Sequence, residues 1–168
     1  LLDRTICASA GSEALAATYG GKLGMRVEFF AESKLILIWG SNSIASNLHF
    51  WRYAQEAKRQ GAKLIVIDPR RTDLVKSPHI EAAFHLPLKP GTNVAVVTAL
   101  AHVIVTEGLF DAAFIQDRCD WDEFQDYAEF VSQPQNSPES VALLTGVPAA
   151  EVRAAARLCP SNRSSVSL

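Results

Sequence analysis

The sequence predicts an α/β fold, a mostly parallel sheet with flanking helices, and three observations lead there. Two short Ile/Leu/Val-rich runs, Leu35–Trp39 and Lys63–Ile67, are closed by Gly40 and by Asp68-Pro69. Continuous apolar runs of this length are typical of strands buried on both faces. Between them, residues 47–60 set Phe50, Tyr53, Ala54 and Ala57 at i, i+3, i+4 and i+7, an amphipathic helix. Gly61 stops that helix, with Lys58 and Arg59 favourably placed in its last turn. Strand, helix and strand with short links form a βαβ unit, so the two strands should be adjacent with a right-handed crossover.

The other elements follow in order. Residues 11–24 are rich in glycine and alanine and predict loops around a short helix; residues 27–33 then lead into the sheet. Residues 82–86 predict a third, shorter strand that Pro87 ends. Pro90-Gly91-Thr92-Asn93 predicts a turn, with Asn93 most simply an N-cap for a helix over 94–107. That helix is apolar nearly all round, which predicts burial between layers, with His102 a satisfied core residue. Short helices are predicted at 111–118, 121–131, 139–144 and 149–158, with Gln133-Pro134-Gln135-Asn136-Ser137-Pro138 as a breaker. The organisation is thus a lead-in over 1–33, an α/β domain over 34–158 that turns helical from about 111, and a Ser-rich tail over 159–168 expected to be disordered or foreign to the fold. The absence of a starting Met or a signal-like segment suggests a piece of something longer.

Composition narrows the function classes. The 168 residues carry 16 Lys+Arg against 18 Asp+Glu, a formal net charge of −2, and 48% hydrophobic residues. That is enough apolar material for one core. It gives no bulk charge for nucleic-acid binding. No stretch approaches the ~18 apolar residues of a spanning helix, so no membrane contact is expected. Cys7, Cys119 and Cys159 are scattered singly, without zinc or iron–sulfur spacing. Such cysteines suit a reducing, cytoplasmic compartment, and equally an exported folded protein.

In an open parallel sheet, ligands sit at the carboxyl ends of the strands. Trp39-Gly40-Ser41-Asn42-Ser43 follows the first strand and enters a helix, so backbone can approach a phosphate closely there. Asp68-Pro69-Arg70-Arg71-Thr72 follows the second; its carboxylate can accept from a ribose or base and its arginines can pair with phosphate. Pro90-Gly91-Thr92-Asn93 follows the third. Taken singly, Gly40 is a tight turn, Asp68-Pro69 a turn starter and Asn93 a cap. Their joint placement favours one nucleotide-like ligand. No GxGxxG is present, which counts against a dinucleotide-binding dehydrogenase; a stand-alone nucleotide-binding or regulatory module without redox activity is the alternative.

Trp39-Gly40-Ser41-Asn42, the run from Gly61 to Thr72, and His85-Leu86-Pro87-Leu88-Lys89-Pro90-Gly91-Thr92 closely resemble the molybdopterin oxidoreductases of the dimethyl sulfoxide reductase and formate dehydrogenase type. Ala101-His102-Val103-Ile104, Glu107-Gly108-Leu109-Phe110-Asp111 and Thr145-Gly146-Val147-Pro148 continue the match in order. The resemblance implies a Rossmann-like domain of a larger multi-domain enzyme that carries out two-electron or oxygen-atom transfer. It also implies a bis(molybdopterin guanine dinucleotide) molybdenum cofactor, one guanine nucleotide arm of which this domain holds. The implied contacts are Gly40, Ser41, Asn42 and Ser46; Ile67, Asp68, Arg70 and Arg71; and Gly91, Thr92 and Asn93. Ser43 stands where Pro is common. Asn93 stands where Asp is common, keeping one acceptor and adding a donor. Cys7 falls near the family's molybdenum ligand; the other reading is a small buried hydrophobe. Ala8, where formate dehydrogenases place His, argues against formate as substrate. The implied partners are the remaining domains of the parent chain and an electron-transfer partner. An iron–sulfur cluster would belong to the parent, since this segment lacks the cysteines for one.

Overall fold

The computed structural model describes residues 6–77, 80–161 and 165–167. The chain opens with a helix, α1 (Ile6–Tyr19), and a 3-10 turn at Val27–Glu32. Strand β1 (Leu35–Trp39), helix α2 (Ser43–Ser46), helix α3 (Leu48–Arg59) and strand β2 (Lys63–Ile67) form the predicted βαβ unit. Next come α4 (Asp73–Lys76), β3 (Phe84–Leu86) and α5 (Asn93–Thr106). A helical part follows, α6 (Ala112–Arg118), α7 (Trp121–Ser132), α8 (Pro138–Thr145) and α9 (Ala149–Ser161), before β4 (Ser165–Ser167).

The sheet has the order β3-β2-β1-β4 and every pairing is parallel. Leu35 lies opposite Lys63 and Trp39 opposite Ile67, so β1 and β2 end level. Ile67 in turn lies opposite Leu86. Alternation along the strands divides the core in two. Leu35, Ile65, Ile67 and Leu86 face α5, α8 and α9, where Val96, Ala99, Val103, Val141, Val152 and Ala155 are buried. Ile36, Ile38, Leu64 and Val66 face α3 and its surroundings, where Phe50, Ala54, Ala57 and Phe30 are buried. Phe30 meets Phe50 edge to face at 4.8 Å. Both faces are covered, which explains why β1 and β2 read as unbroken apolar runs.

The structure corrects several expectations. Residues 11–24 are not mainly loop: α1 runs through Gly11, its alanines outweighing a single glycine. The third strand begins at Phe84 rather than Ala82, because Glu81 takes a left-handed φ of 45° and turns the chain just before it. Thr92, not Asn93, is the N-cap of α5. Val94 and Val97 stay exposed at 76% and 49%, so α5 is covered only along the stripe facing the sheet and the later helices. The expected boundary at 159 falls inside α9, and Ser165–Ser167 pairs in parallel with Leu35–Leu37. An unpaired β1 edge offers backbone donors and acceptors that even a Ser-rich extended segment can satisfy.

The helical part is closely tied. Asp111, Asp120 and Ser137 cap α6, α7 and α8 through side-chain oxygens. Buried His102 donates from Nδ1 to the Val131 carbonyl at 2.7 Å, as expected of a satisfied core histidine. Arg153 grips Glu139 through two bonds of 2.8 and 2.7 Å. Arg157 grips Glu107 through two of 2.8 Å. The Arg153 hydrogen bonds pull the Glu139 carboxyl down to about 2.

Candidate functional site

The carboxyl ends of β1, β2 and β3 form one edge, and their loops are tied to each other. Gly40 N–H donates to the Ile67 carbonyl at 2.9 Å, joining the first loop to the second. Asp68 N–H donates to the Leu86 carbonyl at 3.3 Å, and His85 Nε2 donates to the Asp68 carbonyl at 2.9 Å, joining the second to the third strand. Trp39 Nε1 donates to Asn93 Oδ1 at 2.7 Å and closes the set. Gly40 and Gly91 hold φ of 62° and 84°, and a Cβ at either would meet nothing within 4 Å. Conformation rather than crowding therefore calls for glycine in these two turns.

The predicted residues fall into groups. Asp68 is 8% exposed, and its Oδ1 accepts from Arg70 N–H at 2.7 Å. The turn-starter role is thus real, yet a carboxylate has further lone pairs to offer a ligand. Arg70 and Arg71 are exposed, and neither forms a salt bridge among the described residues. Ser41 shares a 3.2 Å hydrogen bond with Ser43, which is buried. Asn42 caps α2 without a side-chain cap bond; its Nδ2 donates to Asp73 Oδ2 at 3.4 Å. Its Oδ1 is buried without a hydrogen-bond partner, and so is Thr72 Oγ1 at the start of α4, which packs on α2.

Some predicted residues offer less. The Ile67 side chain is 0% exposed in the core, so only its main chain reaches the strand ends. The Ser46 hydroxyl donates to the Asn42 carbonyl at 3.0 Å and Thr92 Oγ1 to the Lys89 carbonyl at 2.7 Å, both within their own turns. Cys7 lies in the first turn of α1, and its thiol lies outside the described side chains. Among the described residues no His/Cys/Asp/Glu group could hold a metal ion. Sequence reading placed Trp39, Thr72 and His85 within the strand-end motifs without giving their side chains a role, and did not single out Asp73. Trp39 carried a signal, since it is the last residue of a strand whose end was already singled out. Lys58, in the last turn of α3, is half-buried: its Nζ donates to the Glu81 carbonyl at 3.4 Å, and burial pulls its ammonium pKa down.

A parallel sheet whose strand-end loops gather hydroxyls, amides, a carboxylate and arginines has the arrangement in which α/β domains seat ligands. The chain belongs to the molybdopterin oxidoreductase family, whose model matches residues 7–150. It is 32% identical over 158 residues to the probable oxidoreductase YoaE of Bacillus subtilis, covering 94% of this chain and 22% of that protein. It is 34% identical over 148 residues to formate dehydrogenase H of Escherichia coli, covering 88% of this chain and 20% of that protein. Among solved structures, acetylene hydratase from Pelobacter acetylenicus superposes with a TM-score of 0.83 at 29% identity, over 96% of this chain and 21% of that one. The chain thus spans about a fifth of the length of these relatives. Family membership implies a molybdenum–molybdopterin cofactor in the parent protein.

The residues present fit such a cofactor. Buried oxygens without partners are costly, and Asn42 Oδ1 and Thr72 Oγ1 are two of them in the loops after β1 and β2. Donors on a polar ligand would satisfy both. The exposed guanidiniums of Arg70 and Arg71 suit an anionic one.

Proposed function

We propose that this chain holds one guanine nucleotide arm of a bis(molybdopterin guanine dinucleotide) cofactor in a molybdenum-dependent oxidoreductase. The observation that carries this reading is the pair of unpartnered buried oxygens, Asn42 Oδ1 and Thr72 Oγ1, in the loops that also carry Asp68, Arg70 and Arg71. Gly40, Ser41, Asn42 and Ser46 form the first wall, and the Ile67 main chain with Asp68, Arg70 and Arg71 the second. Gly91, Thr92 and Asn93 form the third. Asp68 accepts from ribose hydroxyls or a base edge, while the two arginines neutralise phosphate.

The bound cofactor supplies two-electron or oxygen-atom transfer at molybdenum. This chain's own residues position it. The cross-links from Trp39 to Asn93, Gly40 to Ile67 and Asp68 to Leu86 keep the three loops in fixed relation, so the nucleotide arm meets a preformed edge. The remaining domains of the parent chain would close the cofactor from its other sides, and an electron partner would serve the parent as a whole. Relatives named as formate dehydrogenase, nitrate reductase, dimethyl sulfoxide reductase and acetylene hydratase share this segment. Cys7 would supply a thiolate towards the metal.

Metal analysis of the full-length protein, with nucleotide released by acid, tests the reading. Molybdenum with GMP released in proportion is expected. Molybdenum without GMP would overturn it. The segment alone should bind GMP only near the millimolar end, on the order of −4 kcal/mol, because most of the buried ligand area lies on other domains.

A further inference from the structure

β3 stops short, and its end leaves a rung of the sheet to be filled. In a parallel pair, a residue that donates to one position of its neighbour accepts from the position two further on. Asp68 N–H donates to the Leu86 carbonyl, so the next rung would bring Leu88 N–H to the Asp68 carbonyl. Pro87 breaks the strand, and Leu88 N–H turns back to the Leu86 carbonyl at 3.0 Å instead. His85 supplies the donor from its side chain, with Nε2 at 2.9 Å from the Asp68 carbonyl. A carbonyl only accepts, so the ring carries a proton on Nε2.

Asp68 is thereby tied on both sides of its α-carbon. The Ile67 carbonyl accepts from Gly40 N–H at 2.9 Å, Leu86 holds the Asp68 N–H, and His85 holds the Asp68 carbonyl. Of these three ties, only the last is made by a side chain. They fix the α-carbon from which the carboxylate leaves, and so set where it points. Its Oδ1 is already engaged by Arg70 N–H at 2.7 Å, and a peptide free to rotate would carry the other oxygen away from the edge. Alternation along β3 puts half-buried His85 on the face away from α5, whose core Phe84 and Leu86 join. We propose that His85 is a positioning residue for the strand-end site: by holding the Asp68 peptide it aims the Asp68 carboxylate at the nucleotide arm. The inference rests on the nucleotide reading above and adds a residue that serves it through another.

The test follows loss of cofactor from the loaded full-length protein, read as molybdenum and acid-released GMP remaining with the protein over time. His85→Leu keeps bulk and removes the donor; His85→Gln keeps an amide N–H of similar reach. His85→Leu should lose cofactor about fivefold faster, the worth of one hydrogen bond, and His85→Gln within about twofold of the wild-type rate. In an Asp68→Ala background, His85→Leu should add less than about twofold, because no carboxylate remains to be aimed. A merely structural role for His85 would add the same factor in both backgrounds. Circular dichroism and urea unfolding confine the comparison to folded protein. If His85→Leu does not fold, His85→Asn, whose amide falls short of the carbonyl, takes its place with the same expected factors. A wild-type rate in the donor-free variant, an equal factor in both backgrounds, or no rescue by glutamine would overturn the proposal. If GMP accompanies molybdenum in proportion and one of these results is found, this inference alone fails. Molybdenum without GMP ends the nucleotide reading and this inference with it.

Discussion

The strand-end loops and the α6–α9 region solve opposite problems with the same kinds of side chain. In the helical part, Asp111, Asp120 and Ser137 spend their oxygens on helix N-termini, and Arg153 and Arg157 are each clasped by a glutamate. At the strand ends, Asn42 and Thr72 occupy equivalent cap positions on α2 and α4 and make no cap bond, and an oxygen of each is buried without a partner. Arg70 and Arg71 there form no salt bridge among the described residues. Polar groups satisfied internally stabilise a fold; of the three buried side-chain oxygens left without a partner among the described residues, Ser33 Oγ lies ahead of β1 and the other two, Asn42 Oδ1 and Thr72 Oγ1, lie in the strand-end loops. The strand ends depend on the helical part, since α5 rests on α7, α8 and α9 while its first turn carries Asn93 to the site.

Substitutions can separate the two roles. The largest stability effect should come from Leu86→Ala, at the fully buried end of β3, where the lost side chain lies between the sheet and the helical part. It should cost about 2–5 kcal/mol in urea unfolding of the full-length protein, and lower cofactor content only as folded protein is lost. Asp68→Ala should leave the far-ultraviolet circular dichroism intact and weaken cofactor retention by about 1.5–3 kcal/mol, seen as reduced molybdenum and GMP per protein. Asp68→Asn keeps an acceptor for the Arg70 N–H and removes the charge. It should recover the turn and only part of the occupancy; full recovery would reduce Asp68 to a turn residue. Arg70→Ala should lower retention less than Asp68→Ala, because Arg71 remains beside it.

Smaller effects belong to the helical part. Glu139→Gln should cost no more than about 1 kcal/mol, as an exposed pair, and leave cofactor content unchanged. Its pH dependence has a definite sign. Glu139 titrates at about 2 in the folded chain against an ordinary 4.5, held down by Arg153. Its contribution is present in full above the unfolded value and is lost as pH falls from there through about 2. Melting curves of wild type and Glu139→Gln should therefore converge at low pH, and a constant difference would show that the pair is not the cause. Arg52→Ala, on the exposed part of α3, should change stability by less than about 0.5 kcal/mol and retention not at all.

How much of this was legible in the sequence follows from the range of each interaction. The βαβ unit was readable because burial on both faces writes itself into consecutive residues, as in Leu35–Trp39, and the stripe of Phe50, Ala54 and Ala57 repeats at helical spacing. The placing of Gly40, Asp68 and Gly91 on one edge followed from topology alone. What escaped was set by side chains distant in sequence. Trp39 and Asn93 are 54 positions apart, and Asn42 and Asp73 are 31 apart. Only the parallel register of β1, β2 and β3 brings such pairs together. The partial burial of Lys58 escaped as well, because nothing local reveals that the chain at Glu81 comes within reach of it. Asn93 looked like a cap because residue type favours caps, whereas the turn hydrogen-bonded through Lys89 places Thr92 in that position.

Hydrogen exchange tests most directly whether the leftover polar groups of the strand ends serve the cofactor. Backbone exchange would be compared, by mass spectrometry, between the full-length protein with and without its molybdenum cofactor. Protection on loading is expected in peptides spanning 40–46, 67–72 and 91–93, with α7, α8 and α9 unchanged, since the helical part is already internally satisfied. Protection confined to the helical part, or loops that exchange equally fast in both forms, would contradict the assignment of this edge to the nucleotide.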